Sequence, residues 1–178
     1  MKSRLDRLPR MRLAAFAIVG VAVSLNAVAV EPGEPAPNCR LTPIDGGQSW
    51  ALRQYRGKVL YVDFWASWCG PCAQSFPFMN QLARDFGGRG LEILAINLDE
   101  EPADAKAFLA EHPAGFTILS DAGGQCPQEF GVRAMPSSYL VDRNGMVHHV
   151  QVGFRAGESD KVRAAVEALL VPEARATR

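Results

Sequence analysis

Apolar positions fall along this chain in two rhythms. In Val59-Leu60-Tyr61-Val62-Asp63-Phe64-Trp65 and again over residues 91–97 the side chains are apolar almost throughout. Short runs of that kind suit strands covered on both faces of a sheet. Residues 116–119 form a shorter run, while 137–141 and 146–152 alternate as two further strands. Asp142-Arg143-Asn144-Gly145 between the last two reads as a hairpin turn. Helical spacing occupies the intervals. One helix is predicted over 71–86, ending at Gly87-Gly88-Arg89-Gly90. A second begins near Pro102, with Asp99 as its cap, and presents Ala103, Ala107, Phe108 and Leu109 before stopping ahead of Pro113. A helical turn is expected around 127–130, and a final helix over 159–170 gathers Val162, Ala165, Val166, Leu169 and Leu170 on one side. The order β-α-β-α-β, then a hairpin and a helix, predicts an α/β fold with a mixed central sheet flanked by helices. Residues 41–57 read as a small preamble with turns at Asp45-Gly46-Gly47 and Arg56-Gly57-Lys58.

The N-terminus changes the picture of where this domain works. A basic segment precedes an apolar run at 13–25, and Ala27-Val28-Ala29 is a small-x-small cleavage site. The division expected is a signal peptide over 1–29, a Pro-rich linker over 30–37, a folded domain over 38–171 and a loose tail over 172–178. An uncleaved membrane anchor is the alternative for the leader, since residues 13–30 just reach spanning length. Net charge over the 178 residues is zero, but five basic side chains and only Asp6 lie in the first 29. Without that segment, 14 basic and 18 acidic residues remain, a charge of −4. No basic cluster or interleaved aromatic stripe marks a nucleic-acid surface.

The chemistry centres on Trp68-Cys69-Gly70-Pro71-Cys72. Two thiols separated by two residues at the start of a helix can form a disulfide, one accessible and one sheltered. Cys69, at the helix N-terminus, is favoured as thiolate by unpaired N–H groups and the helix dipole, which lower its pKa from about 8.5. Cys69 would attack a substrate disulfide, and Cys72, one turn in, would resolve the mixed disulfide. Gly70 and Pro71 keep the turn tight. Half a zinc site is the other reading of such a pair, but Cys39, Cys126 and the three histidines have no spacing that completes one, so no metal is expected. Asp63 lies in an otherwise apolar strand, where an unpaired carboxylate should hold its proton more tightly; the plainer reading is an aspartate facing solvent at a strand edge.

The run from Val62 to Cys72 closely resembles the active-site segment of thioredoxins, and Pro77 sits where that family carries a helix-kinking proline. Met135-Pro136-Ser137, with Val132-Arg133-Ala134 before it, resembles the family's cis-proline loop. The leader, the preamble and the insert at 99–112 look more like the exported TlpA-like (ResA/TlpA-type) branch. The resemblance implies a thioredoxin-like fold with an N-terminal extension and a helical insert. It implies a cis Pro136 beside the sulfurs, a Met135 backbone that pairs with substrate, and Asp63 as the acid that deprotonates Cys72, through water. It departs at Ser75, where many TlpA-like proteins carry an acid, which places more weight on Asp63. Trp68 would belong to the docking surface, and Trp65 to the core. Some relatives of this type have a second, structural disulfide, which here would join Cys39 to Cys126; two unpaired thiols or a regulatory pair are the alternatives.

The function so implied is dithiol–disulfide exchange, in the reducing direction, on exported proteins in the periplasm. Cysteines of apocytochromes c or of copper-delivery proteins are the implied targets, and a membrane electron donor of the DsbD type the implied partner. Membrane contact is expected only through an uncleaved leader, no cofactor is implied, and the protein is expected to be a monomer. A copper(I) metallochaperone using Cys69 and Cys72 is one alternative. A thiol peroxidase is another, although the Pro-x-x-x-Thr/Ser-x-x-Cys context of that class is missing around Cys69.

Overall fold

A computed structural model describes residues 29–171. The leader expected over 1–29, apart from its last residue, and the tail over 172–178 lie outside the described residues. Seven strands form one mixed sheet: β1 (Arg40–Pro43), β2 (Trp50–Ala51), β3 (Val59–Trp65), β4 (Leu91–Asn97), β5 (Thr117–Ser120), β6 (Ser137–Val141) and β7 (Val147–Val152). Their spatial order is β2-β1-β5-β4-β3-β6-β7. The α-helices among the described residues are α1 (Gly70–Phe86), α2 (Pro102–Glu111), α3 (Gln125–Phe130) and α4 (Ser159–Leu170). Among the described residues no helix is long and apolar enough to cross a membrane.

The middle of the sheet is built as its sequence demands. Every residue of β3 is buried, with β4 parallel on one side and β6 antiparallel on the other. Alternation along the strand then divides the core in two. Val59, Tyr61 and Trp65 pack with Phe76, Met79 and Leu82 of α1, Phe108 of α2, and Val162 and Val166 of α4. Leu60, Val62 and Phe64 point the other way, towards Leu41, Phe130, Tyr139 and Cys126. One face therefore carries α1, α2 and α4; the other is closed by α3 and the preamble.

The expected strands and helices are found with ends shifted by one or two residues, which is the ordinary uncertainty of an element boundary. Three differences go further. Residues 40–43 and 50–51 of the preamble are strands, pairing antiparallel with each other, and β1 also pairs with β5, so the sheet is wider than its apolar runs indicate. The turn expected near 127 is a helix from Gln125. Asp99 does not cap α2: the cap position is Glu101, without a side-chain bond, and Asp99 is buried and bonded elsewhere.

Candidate active site

Cys69 occupies the N-cap position of α1, with extended backbone at φ −89° and ψ 97°, and Pro71 lies in the first helical turn. The chain reaches it through a tight turn from β3, closed by Cys69 N–H donating to Ala66 O at 3.1 Å. Cys69 and Cys72 are joined as a disulfide, with their Cα atoms 5.2 Å apart. Cys72 is fully buried, and its carbonyl accepts a bond from Ser75 Oγ at 2.9 Å. Ser75 thus spends its hydroxyl within the first turns of α1. Pro77 lies inside α1, as the resemblance implies.

Cys69 opens on a groove of about 550 Å³ lined by Trp68, Pro71, Leu98, Pro127 and Met135, among others. Arg133 is the charged side chain among the residues lining it. Trp68 is 72% exposed, whereas Trp65 is wholly buried against Phe76 and Phe108. The Met135–Pro136 peptide bond is cis. Pro136 is buried, and its carbonyl accepts from Gly153 N–H at 2.7 Å, which ties the loop to the end of β7.

Asp63 is 1% exposed, so the solvent-edge reading does not apply. In the antiparallel β3–β6 ladder it stands directly opposite Ser138, whose Oγ donates to Asp63 Oδ1 at 2.6 Å. Its Oδ2 is buried with no hydrogen-bond partner among the described residues. Loss of hydration raises the carboxyl to about 7, against the opposing pull of the Ser138 hydroxyl. Alternation places Asp63 on the face of β3 that also carries Tyr61 and Trp65, the face packed with Cys69 and Cys72. It is a buried group able to take up or release a proton near neutral pH.

The structure therefore brings Trp68, Cys69, Gly70, Pro71 and Met135 to one groove, with Asp63 on the sheet face that packs with Cys69 and Cys72. Cys39 and Cys126 are held apart from them. They are joined in a second disulfide, 2% and 0% exposed, within the core on the opposite face. Among the described residues no three His, Cys, Asp or Glu side chains converge as for a metal. Residues that sequence reasoning missed are Ser138 and Leu98; it gives Asp99 only as a helix cap, not as the acceptor for the Ser67 N–H. Ser138 had a signal: a hydroxyl two residues after Pro136 in a buried strand, where an apolar side chain is the rule. Leu98 and Asp99 had only a weak one, the polar Asn97 ending an apolar run.

Comparison with known proteins agrees with this geometry. The Redoxin family profile matches residues 31–169. The thiol–disulfide oxidoreductase ResA of Bacillus thuringiensis subsp. konkukian is 34% identical over 118 residues, 66% of this chain and 68% of its own. ResA of Geobacillus thermodenitrificans is 34% identical over 133 residues, 75% of this chain and 76% of its own. A crystal structure from Chlorobium tepidum, assigned as a thiol:disulfide interchange protein DsbE, superposes with a TM-score of 0.76 at 43% identity, over 80% of this chain and 99% of that one. With its Cys-Gly-Pro-Cys disulfide at a helix N-terminus, the chain belongs to the Redoxin family, as a ResA/TlpA-type thiol–disulfide oxidoreductase of thioredoxin-like fold.

Proposed function

We propose that this oxidoreductase is a reductase of disulfides in exported proteins, with Cys69 as the attacking thiol and Cys72 as the resolving one. The observation that carries this is the Cys69–Cys72 pair itself: one sulfur at a helix N-terminus facing an open groove, the other sealed beneath it. In the reduced protein the Cys69 thiolate attacks one sulfur of the substrate disulfide, and the leaving thiolate takes a proton. Cys72, deprotonated by Asp63, then attacks the Cys69 sulfur and releases the second substrate thiolate. Two electrons pass to the substrate, and the enzyme is left as the disulfide seen here. The Gly70-Pro71 dipeptide supports the reducing direction by its likeness to thioredoxin. Trp68 and the Met135 backbone at the rim are suited to hold an extended substrate segment beside Cys69.

A second disulfide within the domain and a leader ending in Ala27-Val28-Ala29 support work in the periplasm, with residues 38–171 as the working domain. Regeneration then needs a membrane electron donor of the DsbD type. Apocytochromes c and copper-site proteins are the targets proposed. Equilibration of the Cys69/Cys72 couple with glutathione buffers tests the direction. A potential near thioredoxin's, about −270 mV, is expected; one towards about −120 mV, as in DsbA, overturns it.

A further inference from the structure

The turn that delivers Cys69 to its helix is gripped from outside. In Ala66-Ser67-Trp68-Cys69 the ends are closed by the Cys69 N–H to Ala66 O bond, leaving Ser67 and Trp68 at the centre. Nothing within the turn satisfies the Ser67 N–H. It donates to the Asp99 carboxylate, at 3.1 Å from Oδ1 and 3.0 Å from Oδ2, and Ser67 Oγ donates to Oδ1 at 3.0 Å. Asp99 is itself fixed. Asn97 Nδ2 donates to its Oδ2 at 2.7 Å, and its own N–H donates to Asn97 Oδ1 at 3.2 Å. Asn97 and Asp99 are 1% and 4% exposed. Asn97 ends β4 in register with Trp65 of β3 and Ser120 of β5, and its carbonyl accepts from Asp121 N–H at 3.0 Å. Leu98 between them donates its N–H to Trp65 O at 3.0 Å and lines the groove beside Cys69.

A buried carboxylate is a costly way to hold a loop unless its position matters. Here it converts the ends of three strands into a fixed mount for a turn that ends on the nucleophile, gripped two residues before it. We infer that Asp99 is a positioning residue for disulfide exchange, holding the Ser67 turn so that Cys69 meets the first turn of α1 and the groove together. This rests on Cys69 being the attacking thiol. Bonds to a charged acceptor are the stronger kind, and loss of one partner leaves the Ser67 N–H without its acceptor.

The test uses the full chain, reduced, with a small aromatic disulfide as probe. The second-order rate of attack is followed against pH for the native protein and for Asp99→Ala, Asp99→Asn and Ser67→Ala. The other titratable and charged groups on the Cys69 side, namely Cys72, Asp63 and Arg133, are unchanged in all of them. Asp99→Ala is expected to slow attack about tenfold at pH 7 and to move the midpoint of the pH profile upward, as the thiolate loses its alignment with the helix N-terminus. Asp99→Asn, which keeps an acceptor oxygen, should return to within about threefold of native. Ser67→Ala, which keeps the N–H bond and cannot be expected to unfold the chain, should slow attack about twofold. Native rates and an unmoved midpoint in Asp99→Ala overturn the inference, as do equal losses in the Ala and Asn variants or no change in Ser67→Ala. If instead Cys69→Ser leaves the rate intact, the assignment of Cys69 is what fails.

Discussion

The two disulfides span the same distance, 5.2 Å between Cα atoms, and differ in everything around them. Cys69–Cys72 joins residues three apart at the mouth of a groove. Cys39–Cys126 joins residues 87 apart, through a core of Leu41, Phe64, Phe130 and Tyr139 that admits no partner. A short loop restrains the unfolded chain little, so the first bond is free to be made and broken as chemistry. A long one restrains it by about 4–5 kcal/mol in the chain-entropy account, so the second belongs to the architecture. It ties the residue before β1 to α3, beside Pro127 on the groove wall. The same bond thus serves reactivity or stability according to loop length and access, not according to sulfur chemistry.

The sharpest way to break that comparison is to remove each bond. Cys69→Ser should abolish exchange with a peptide disulfide, a loss on the order of a thousandfold or more, while shifting the urea midpoint little. Cys39→Ala combined with Cys126→Ala should lower unfolding free energy by about 4–5 kcal/mol, read by urea titration, while the folded fraction keeps native exchange within about threefold. A folded double variant without exchange would mean that the second bond also shapes the site.

How much of this was legible in the sequence follows the length and distinctness of each signal. A seven-residue apolar strand, a helix opened by Cys-Gly-Pro-Cys and an Asp-to-Gly hairpin turn each carry their own local cause, and all three are where the sequence puts them. β1 and β2, at four and two residues, are too short to show a period; the sheet edge and the disulfide hold them. Asp99 misled because an acid three residues before Pro102 is good helix-start chemistry. Its real partners, Ser67 and Asn97, are chosen by the ends of β3 and β4 lying side by side, which no local pattern records.

Between the two disulfides in expected effect lies Asp63. Its carboxyl, raised from 3.8 to about 7 by burial, keeps a proton in the folded protein that the unfolded chain has already released. Between those values the native state binds more protons, so stability falls as pH rises, and the penalty is complete above pH about 7. At 1.36 kcal/mol per unit, Asp63→Asn should be more stable than native by up to about 4 kcal/mol at pH 8, with no gain below pH about 4. The same variant should slow resolution by Cys72 about a hundredfold, read by trapping of the mixed disulfide. Stability gained at the expense of exchange is what a functional buried acid predicts; a pH-independent offset would make Asp63 a packing residue.

The smallest effect, and the finest probe of the reactive side, belongs to Trp68. At 72% exposure it contributes little to the core, so Trp68→Ala should leave unfolding free energy within about 0.5 kcal/mol of native. Its ring nevertheless borders the groove next to Cys69, where an aromatic face covers apolar substrate surface at small conformational cost. The expectation is a KM for an extended peptide disulfide raised about three- to tenfold, with attack on a small aromatic disulfide unchanged. That split separates docking from reactivity: a tryptophan that only shielded the sulfur would alter both substrates alike. Equal changes for the two would return Trp68 to the role of a lid over Cys69 and leave recognition to the Met135 side of the groove.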